Sequence, residues 1–138
     1  MQKPAKIIVI DGQGGKIGSL LVARLKTETG QAVIIAIGTN SIATSAMLKA
    51  GADFGATGEN PVLVNCRDAD IIVGPIGIVI SDSLHGEITP AMAVAIGQSN
   101  AIKVLLPINR CNHTIVGCRD LPIPELIETA IKHILSIL

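Results

Sequence analysis

The residues whose types and spacing best suit chemistry lie near the amino terminus, in the segment Asp-Gly-Gln-Gly-Gly-Lys-Ile-Gly at positions 11–18. An apolar run precedes this segment and a helical pattern follows it, so it is predicted to lead from a strand into a helix. Amides at a helix start lack intrahelical acceptors and carry partial positive charge, so they can bind an anion. The candidate phosphate site therefore comprises Gly12, Gln13, Gly14, Gly15, Lys16, Ile17 and Gly18.

The glycine spacing narrows this hypothesis. Gly12, Gly15 and Gly18 recur at intervals of three, whereas the strict dinucleotide fingerprint would require glycine in place of Ile17. The observed spacing resembles the nucleotide-binding turn of extended short-chain dehydrogenases. There the glycines provide a tight turn, close approach of the backbone to phosphate and close packing of helix on strand. The alternative is that these glycines only make a sharp strand-to-helix connection.

Two further features bear on the kind of nucleotide. Gly38, Thr39, Asn40 and Ser41 follow the second predicted strand, where an acidic residue would bind the ribose of NAD. The sequence therefore favours NADP or another phosphorylated nucleotide over NAD. Asp11 would bring a carboxylate close to the phosphate, and we expect its oxygens to cap the amides of Gly14 or Gly15; an intervening Mg²⁺ is the alternative.

The elements that must position these residues alternate along the chain. Apolar runs predict strands at 6–10, 32–37, 69–73 and 101–106, with helices between them and after Pro122 and Pro124. A short helix is predicted before Asp68, with Asn60 as its N-cap and Pro61 as its first residue. Gly74 and Pro75 are expected to interrupt the third of these strands, and residues 76–80 could continue it or form a turn of buried helix, which we favour.

This order predicts one Rossmann-like α/β domain spanning 1–138, with three layers and a mostly parallel, doubly wound sheet. Residues 114–118 are predicted to add an antiparallel edge strand, because 107–112 are too short for a crossover helix. A ligand would lie outside the carboxyl ends of the strands. That crevice would gather the glycine turn, Thr39 to Ser41, Gly74, Pro75 and Ile76, with Asn109 as a further candidate.

Composition limits the partners. Eleven basic residues balance eleven acidic ones, and aromatic residues make up 1% of the chain, so neither a basic patch nor stacking platforms for nucleic acid are expected. The longest apolar stretch, 71–80, is about half a membrane span. We therefore expect no membrane segment, and the opening residues lack a signal-peptide pattern, so a cytoplasmic location is predicted.

Two other groups of residues carry weaker hypotheses. Cys111, His113 and Cys118, with Cys66 as a further candidate, could bind a metal, but their spacing is poor and ordinary reduced cysteines are favoured. The segment from Ser81 to Glu87 concentrates hydroxyls, carboxylates and an imidazole, and is the best place for acid or base chemistry. A solvated loop before the next helix is the favoured alternative.

Several longer strings of the sequence resemble a small bacterial family, found chiefly in anaerobes, that is classified as a domain of unknown function. The resemblance covers nearly the whole chain. It implies a Rossmann-like fold and no particular activity or catalytic residue. The strings are Asp-Gly-Gln-Gly-Gly at 11–15 with Ile17 and Gly18, Gly-Thr-Asn at 38–40, Met-Leu-Lys-Ala-Gly-Ala-Asp at 47–53, Gly-Ala-Thr-Gly-Glu-Asn at 55–60, the run 70–80 and Gly-Glu-Ile-Thr-Pro-Ala-Met-Ala at 86–93.

Three hypotheses of function follow from the sequence. The first is a protein that binds a nucleotide or dinucleotide at the glycine turn. Since the whole chain is used for the core, a second copy would have to complete any active site, and a homo-oligomer is expected. The second is a non-enzymatic regulatory or assembly module that keeps the fold. The third is a metal-handling protein.

Overall fold

The computed structural model describes residues 3–108 and 112–138. Within them, five parallel strands form one sheet in the order β3-β2-β1-β4-β5. The predicted Rossmann-like fold is therefore confirmed. The strands are β1 (Lys6–Asp11), β2 (Val33–Gly38), β3 (Phe54–Thr57), β4 (Ile71–Pro75) and β5 (Ile102–Leu106); the helices are α1 (Lys16–Glu28), α2 (Ser41–Lys49), α3 (Glu59–Asn65), α4 (Pro90–Gln98) and α5 (Ile123–Ile137), with a short 3₁₀ helix at Ile76–Val79.

The central strand divides the core into two layers. Successive side chains of a strand point to opposite faces of the sheet, so Ile7 and Val9 pack on one side while Ile8 and Ile10 pack on the other. The first layer is covered by α1, α2 and α5, and the second by α3, α4 and the 3₁₀ helix. All four of these β1 side chains are fully buried. Burial on both faces explains why the strand is apolar from Ile7 to Ile10.

The strand predictions need three corrections. Phe54–Thr57 forms an edge strand that the small, glycine-rich sequence did not indicate, since its exposed residues give no alternating pattern. The strand predicted at 114–118 was wrong: the described residues 112–122 contain no strand, and Gly117, with φ of 83°, turns the chain. β4 is not interrupted at Gly74 but runs to Pro75, which pairs with Leu106.

Two helix predictions have mixed outcomes. Residues 76–79 form a turn of 3₁₀ helix, as favoured over a continued strand. The short helix before Asp68 is confirmed, but it begins at Glu59 with Gly58 as its N-cap, not at Asn60 and Pro61. No helix in the described part of the chain is long and apolar enough to cross a membrane.

The strand order reverses between β1 and β4. From β1 the chain winds outward through β2 to β3, and from β4 it continues in the other direction to β5. Because all five strands are parallel, the turn after β1, the turn after β2 and the segment after β4 lie at one edge of the sheet. This is the edge at which doubly wound folds bind ligands.

Candidate functional site

Asp11 is a buried residue that hydrogen-bonds both ends of the turn between β1 and α1. Its side chain is 3% exposed, and its two oxygens accept hydrogen bonds from the amides of Gly12 (2.8 Å) and Gly18 (2.7 Å). The predicted capping of the Gly14 or Gly15 amide is wrong, because the oxygens of Asp11 accept the amides of Gly12 and Gly18 instead. Burial raises the pKa of Asp11, against the lowering effect of these amides, and the nearby charge of Glu87 raises it further.

Close packing requires glycine at positions 12 and 15. A Cβ atom on Gly12 would lie 2.6 Å from Oγ1 of Thr39 and 2.9 Å from Cδ1 of Leu84. Gly15 has φ of 74°, and a Cβ there would lie 2.8 Å from the backbone of Ala43 in α2. The close approach at Gly15 is thus to a second helix of the protein itself. Any side chain at either position would force these elements apart.

Glu87 reaches the same turn from the segment after β4. Its Oε1 accepts hydrogen bonds from the amide of Gln13 (2.9 Å), Nδ2 of Asn40 (3.1 Å) and the hydroxyl of Thr39. Burial works against the charge of Glu87, but the hydrogen bonds from Thr39, Gln13 and Asn40 outweigh it and lower the pKa of this carboxyl. Glu87 is therefore ionised at neutral pH.

Asn40 joins three parts of this edge. Its Oδ1 caps α2 by accepting the amide of Ala43 at 2.9 Å. Its Nδ2 donates to the carbonyl of Gln13 at 2.9 Å as well as to Glu87. One side chain therefore fixes the amino end of α2 relative to the glycine turn and to the segment after β4.

The segment 81–88 covers part of the glycine turn instead of standing in solvent. Ile88 is fully buried, Leu84 is 3% exposed beside Gly12, and Ser83 is buried with its hydroxyl donating to the carbonyl of Gly77. Ser81, Asp82, His85 and Gly86 are exposed. The favoured prediction of a solvated loop therefore holds for these four residues but not for the buried ones. Of the carboxylates in this segment, Glu87 alone is directed at the glycine turn.

The amides of the turn divide into two sets. Those of Gly12, Gln13, Gly15 and Gly18 donate to groups of the protein itself, and that of Ile17 interacts with the carboxylate of Asp11. The amides of Gly14 and Lys16 have no acceptor in the described part of the chain, and both residues are exposed. A Cβ on Gly14 would meet no atom within 4 Å. The donors left for a ligand's anion therefore lie at Gly14 and Lys16, on the outer side of the turn.

The remaining predicted site residues are placed less favourably. Ser41 is exposed as the first residue of α2. Gly74 and Pro75 are buried at the end of β4, where Gly74 lies against the carbonyl of Ile10, and Ile76 is half-buried in the 3₁₀ helix. Among the described residues, no hydrogen bond joins Gly74, Pro75 or Ile76 to Glu87 or to its partners Gln13, Thr39 and Asn40. Asn109 lies outside the described residues.

The cysteine hypothesis finds no constellation to support it. Cys66 is buried, Cys118 is partly exposed and His113 is exposed. Among the described residues, no group of three or more histidine, cysteine, aspartate or glutamate side chains could hold a metal ion. Cys111 lies outside the described residues.

Sequence comparison assigns the family. The model of the domain of unknown function DUF3842 matches residues 6–138. The chain belongs to this family. Neither a curated protein nor a solved structure matches it significantly. The site must therefore be interpreted from its own geometry.

Proposed function

We propose that the protein binds the phosphate group of a nucleotide at the amino end of α1. The observation that carries this proposal is that the amides of two exposed residues at the helix start, Gly14 and Lys16, lack acceptors in the described part of the chain. The partial positive charge of a helix amino end favours an anion there, and the Lys16 side chain can add a charge-assisted contact. The edge of the sheet at which these residues lie supports the same assignment.

The chemistry that follows binding is left open by this proposal. Asp11 is directed at the backbone of its own turn, so its carboxylate serves the fold and is not offered to a ligand. Glu87 is ionised and anchored, which suits an acceptor of hydrogen bonds better than a general acid. We therefore propose ligand binding and assign no catalytic residue.

A nucleotide panel in a thermal-shift experiment tests the proposal. A ligand at a hundred times its Kd stabilises the folded state by about 2.7 kcal/mol, so binding should raise the Tm measurably. Gly14→Asp places a negative charge at the proposed phosphate position, where there is space for a side chain. Gly14→Asn has the same size without the charge and is the matched control.

We expect the shift to be lost in Gly14→Asp and retained in Gly14→Asn. If Gly14→Asp kept the thermal shift, the phosphate would have to bind at a different place on the protein. Gly15 is unsuited to such a test, because its left-handed backbone and its contact with Ala43 make any substitution destabilising by itself.

The regulatory or assembly module is the second candidate. Leu84 and Glu87 cover the inner part of the glycine turn, and four of its amides are already bonded within the protein. These contacts favour a turn that is used structurally. No thermal shift with any nucleotide would support the module.

We also propose that the protein forms a homo-oligomer. Phe54 is 63% exposed on the edge strand β3, and Leu48 of α2, beside Gly55 of the same strand, is 43% exposed. Sedimentation equilibrium of the wild type gives the stoichiometry directly, and a monomer at all concentrations would refute this proposal.

A further inference from the structure

Glu87 places a carboxylate beside the turn after β2, although no acidic residue lies near that turn in the sequence. Thr39 and Asn40 form the turn after β2 and Ser41 begins α2, so no acidic side chain follows this strand directly. In the structure, Glu87 occupies the gap between that turn and Gln13, with hydrogen bonds to both. The carboxylate comes from the segment after β4 instead of from β2.

The two oxygens of this carboxylate have different surroundings. All three hydrogen bonds fall on Oε1, from Gln13, Thr39 and Asn40. Oε2 accepts none from the residues that the structure describes. One oxygen thus fixes the side chain, and the other remains available as an acceptor. A carboxylate held in this way is preorganised for a ligand that donates hydrogen bonds.

We propose that Oε2 of Glu87 accepts hydrogen bonds from the ribose hydroxyl groups of the nucleotide, so that the site selects nucleotides with a free 2′-hydroxyl. This inference rests on the proposed function, because the phosphate at Gly14 and Lys16 would bring the sugar to this edge. In dinucleotide-binding folds, a carboxylate at the end of the second strand performs this task for the ribose. A 2′-phosphate would instead meet a fixed negative charge.

The sequence favours NADP over NAD because no acidic residue follows β2, whereas the position of Glu87 leads us to propose the opposite preference. Glu87 supplies that acidic group through tertiary structure, and its charge disfavours the extra phosphate of NADP. The preferred ligand class is therefore a nucleoside phosphate or dinucleotide with an unmodified ribose.

Calorimetric titration with three small probes tests this assignment on the wild-type protein. Adenosine 5′-phosphate should bind about tenfold more tightly than 2′-deoxyadenosine 5′-phosphate, which lacks the hydroxyl, and more tightly still than adenosine 2′,5′-bisphosphate. Equal binding of all three would overturn the ribose assignment while leaving the phosphate site in place. No binding of any probe would refute the proposed function, and this inference with it.

Glu87→Gln sharpens the test, since it keeps the size of the side chain. One amide oxygen can still accept hydrogen bonds from the anchoring donors, while the amide nitrogen can now donate to a phosphate. We expect the preference for adenosine 5′-phosphate over the bisphosphate to fall by about tenfold or to reverse. Glu28→Gln, at the far end of α1, is the matched control and should keep the wild-type ratio. A wild-type ratio in a folded Glu87→Gln protein would overturn the inference.

Discussion

Oδ2 of Asp11 and the amide of Gly18 are joined by a hydrogen bond of 2.7 Å that spans the whole glycine turn. Because Asp11 ends β1 and Gly18 lies in the first turn of α1, this bond fixes the helix start against the strand. The same carboxylate also accepts the amide of Gly12 through its other oxygen. The shape of the turn is therefore set from inside the protein, and only its outer amides remain for a ligand.

Replacing Asp11 tests this role. Asp11→Asn keeps the volume but leaves only one acceptor oxygen, so the amide of Gly12 or Gly18 must face an NH₂ group. We expect the free energy of unfolding to fall by about 1–3 kcal/mol, the usual effect of leaving a buried donor unsatisfied. Urea denaturation measures the change. Asp82→Asn, at an exposed position, is the control, and an equal effect of both substitutions would contradict the assignment.

The packing of α1 on β1 depends on the absence of a side chain at Gly18. A Cβ atom there would lie 2.9 Å from Cβ of Asp11 and would also meet the sulfur of Met47. Gly18→Ala should therefore destabilise the fold by about 1–3 kcal/mol through overpacking. At Gly14, where the added methyl group meets nothing within 4 Å, Gly14→Ala should change stability far less. Thermal denaturation of the two variants, side by side, decides between these expectations.

Local sequence patterns predicted much of this fold because burial determines which residue types a strand can contain. Residues 7–10 of β1 are apolar because both faces of the strand are buried there, and Gly12 marks the turn that follows it. β3 escaped prediction because an edge strand with exposed residues such as Phe54 needs no apolar pattern. Its pairing with β2, which begins at Phe54 opposite Ile35, creates it.

The candidate site could be predicted only in part. The glycine turn is a local signal, and so is the N-cap at Asn40. The contact between Gln13 and Glu87 joins residues 74 positions apart, and no short-range pattern encodes it. The sequence did mark the segment from Ser81 to Glu87 as chemically promising. What it could not indicate is which of its side chains points at the turn.

The pH dependence of stability should carry a contribution from Asp53. The hydrogen bond from Lys26 and the amide of Ile34 lower the pKa of this carboxyl below its ordinary 3.8. Because the pKa of Asp53 is lower in the folded state, ionised Asp53 stabilises the fold at a pH above the pKa of the unfolded chain. This contribution is lost as the pH falls through the pKa of the folded state. Asp53→Asn should cost roughly 0.5–1 kcal/mol at neutral pH, as expected for a largely solvated ion pair with one backbone contact.

Urea denaturation of the wild type and Asp53→Asn at neutral pH and near pH 3 checks this expectation. The difference between the two proteins should shrink at the lower pH, because Asp53 of the unfolded chain, with its ordinary pKa of 3.8, is then mostly protonated while the folded carboxyl has a lower pKa. A difference that stays constant with pH would show that the charge of Asp53 is not responsible.

The two described cysteines should differ in reactivity. Burial raises the pKa of the Cys66 thiol to about 11, so almost no thiolate exists at neutral pH. Cys118 is partly exposed. Iodoacetamide should therefore alkylate Cys118 well before Cys66 in the native protein, as peptide mass spectrometry would detect. If both cysteines of the native protein were alkylated at equal rates, under conditions where labelling is faster than unfolding, the burial of Cys66 would be contradicted.

The most direct test of the phosphate site is an amide NMR titration of the ¹⁵N-labelled protein with adenosine 5′-phosphate. The resonances of Gly14 and Lys16 should move in a saturable way, while that of Gly30, beyond the far end of α1, should stay in place. A cavity of about 600 Å³ at the opposite edge of the sheet, lined in part by Lys3, Gln31 and Asp70, offers an internal comparison. Saturable shifts at that cavity, with Gly14 and Lys16 unchanged, would contradict the account.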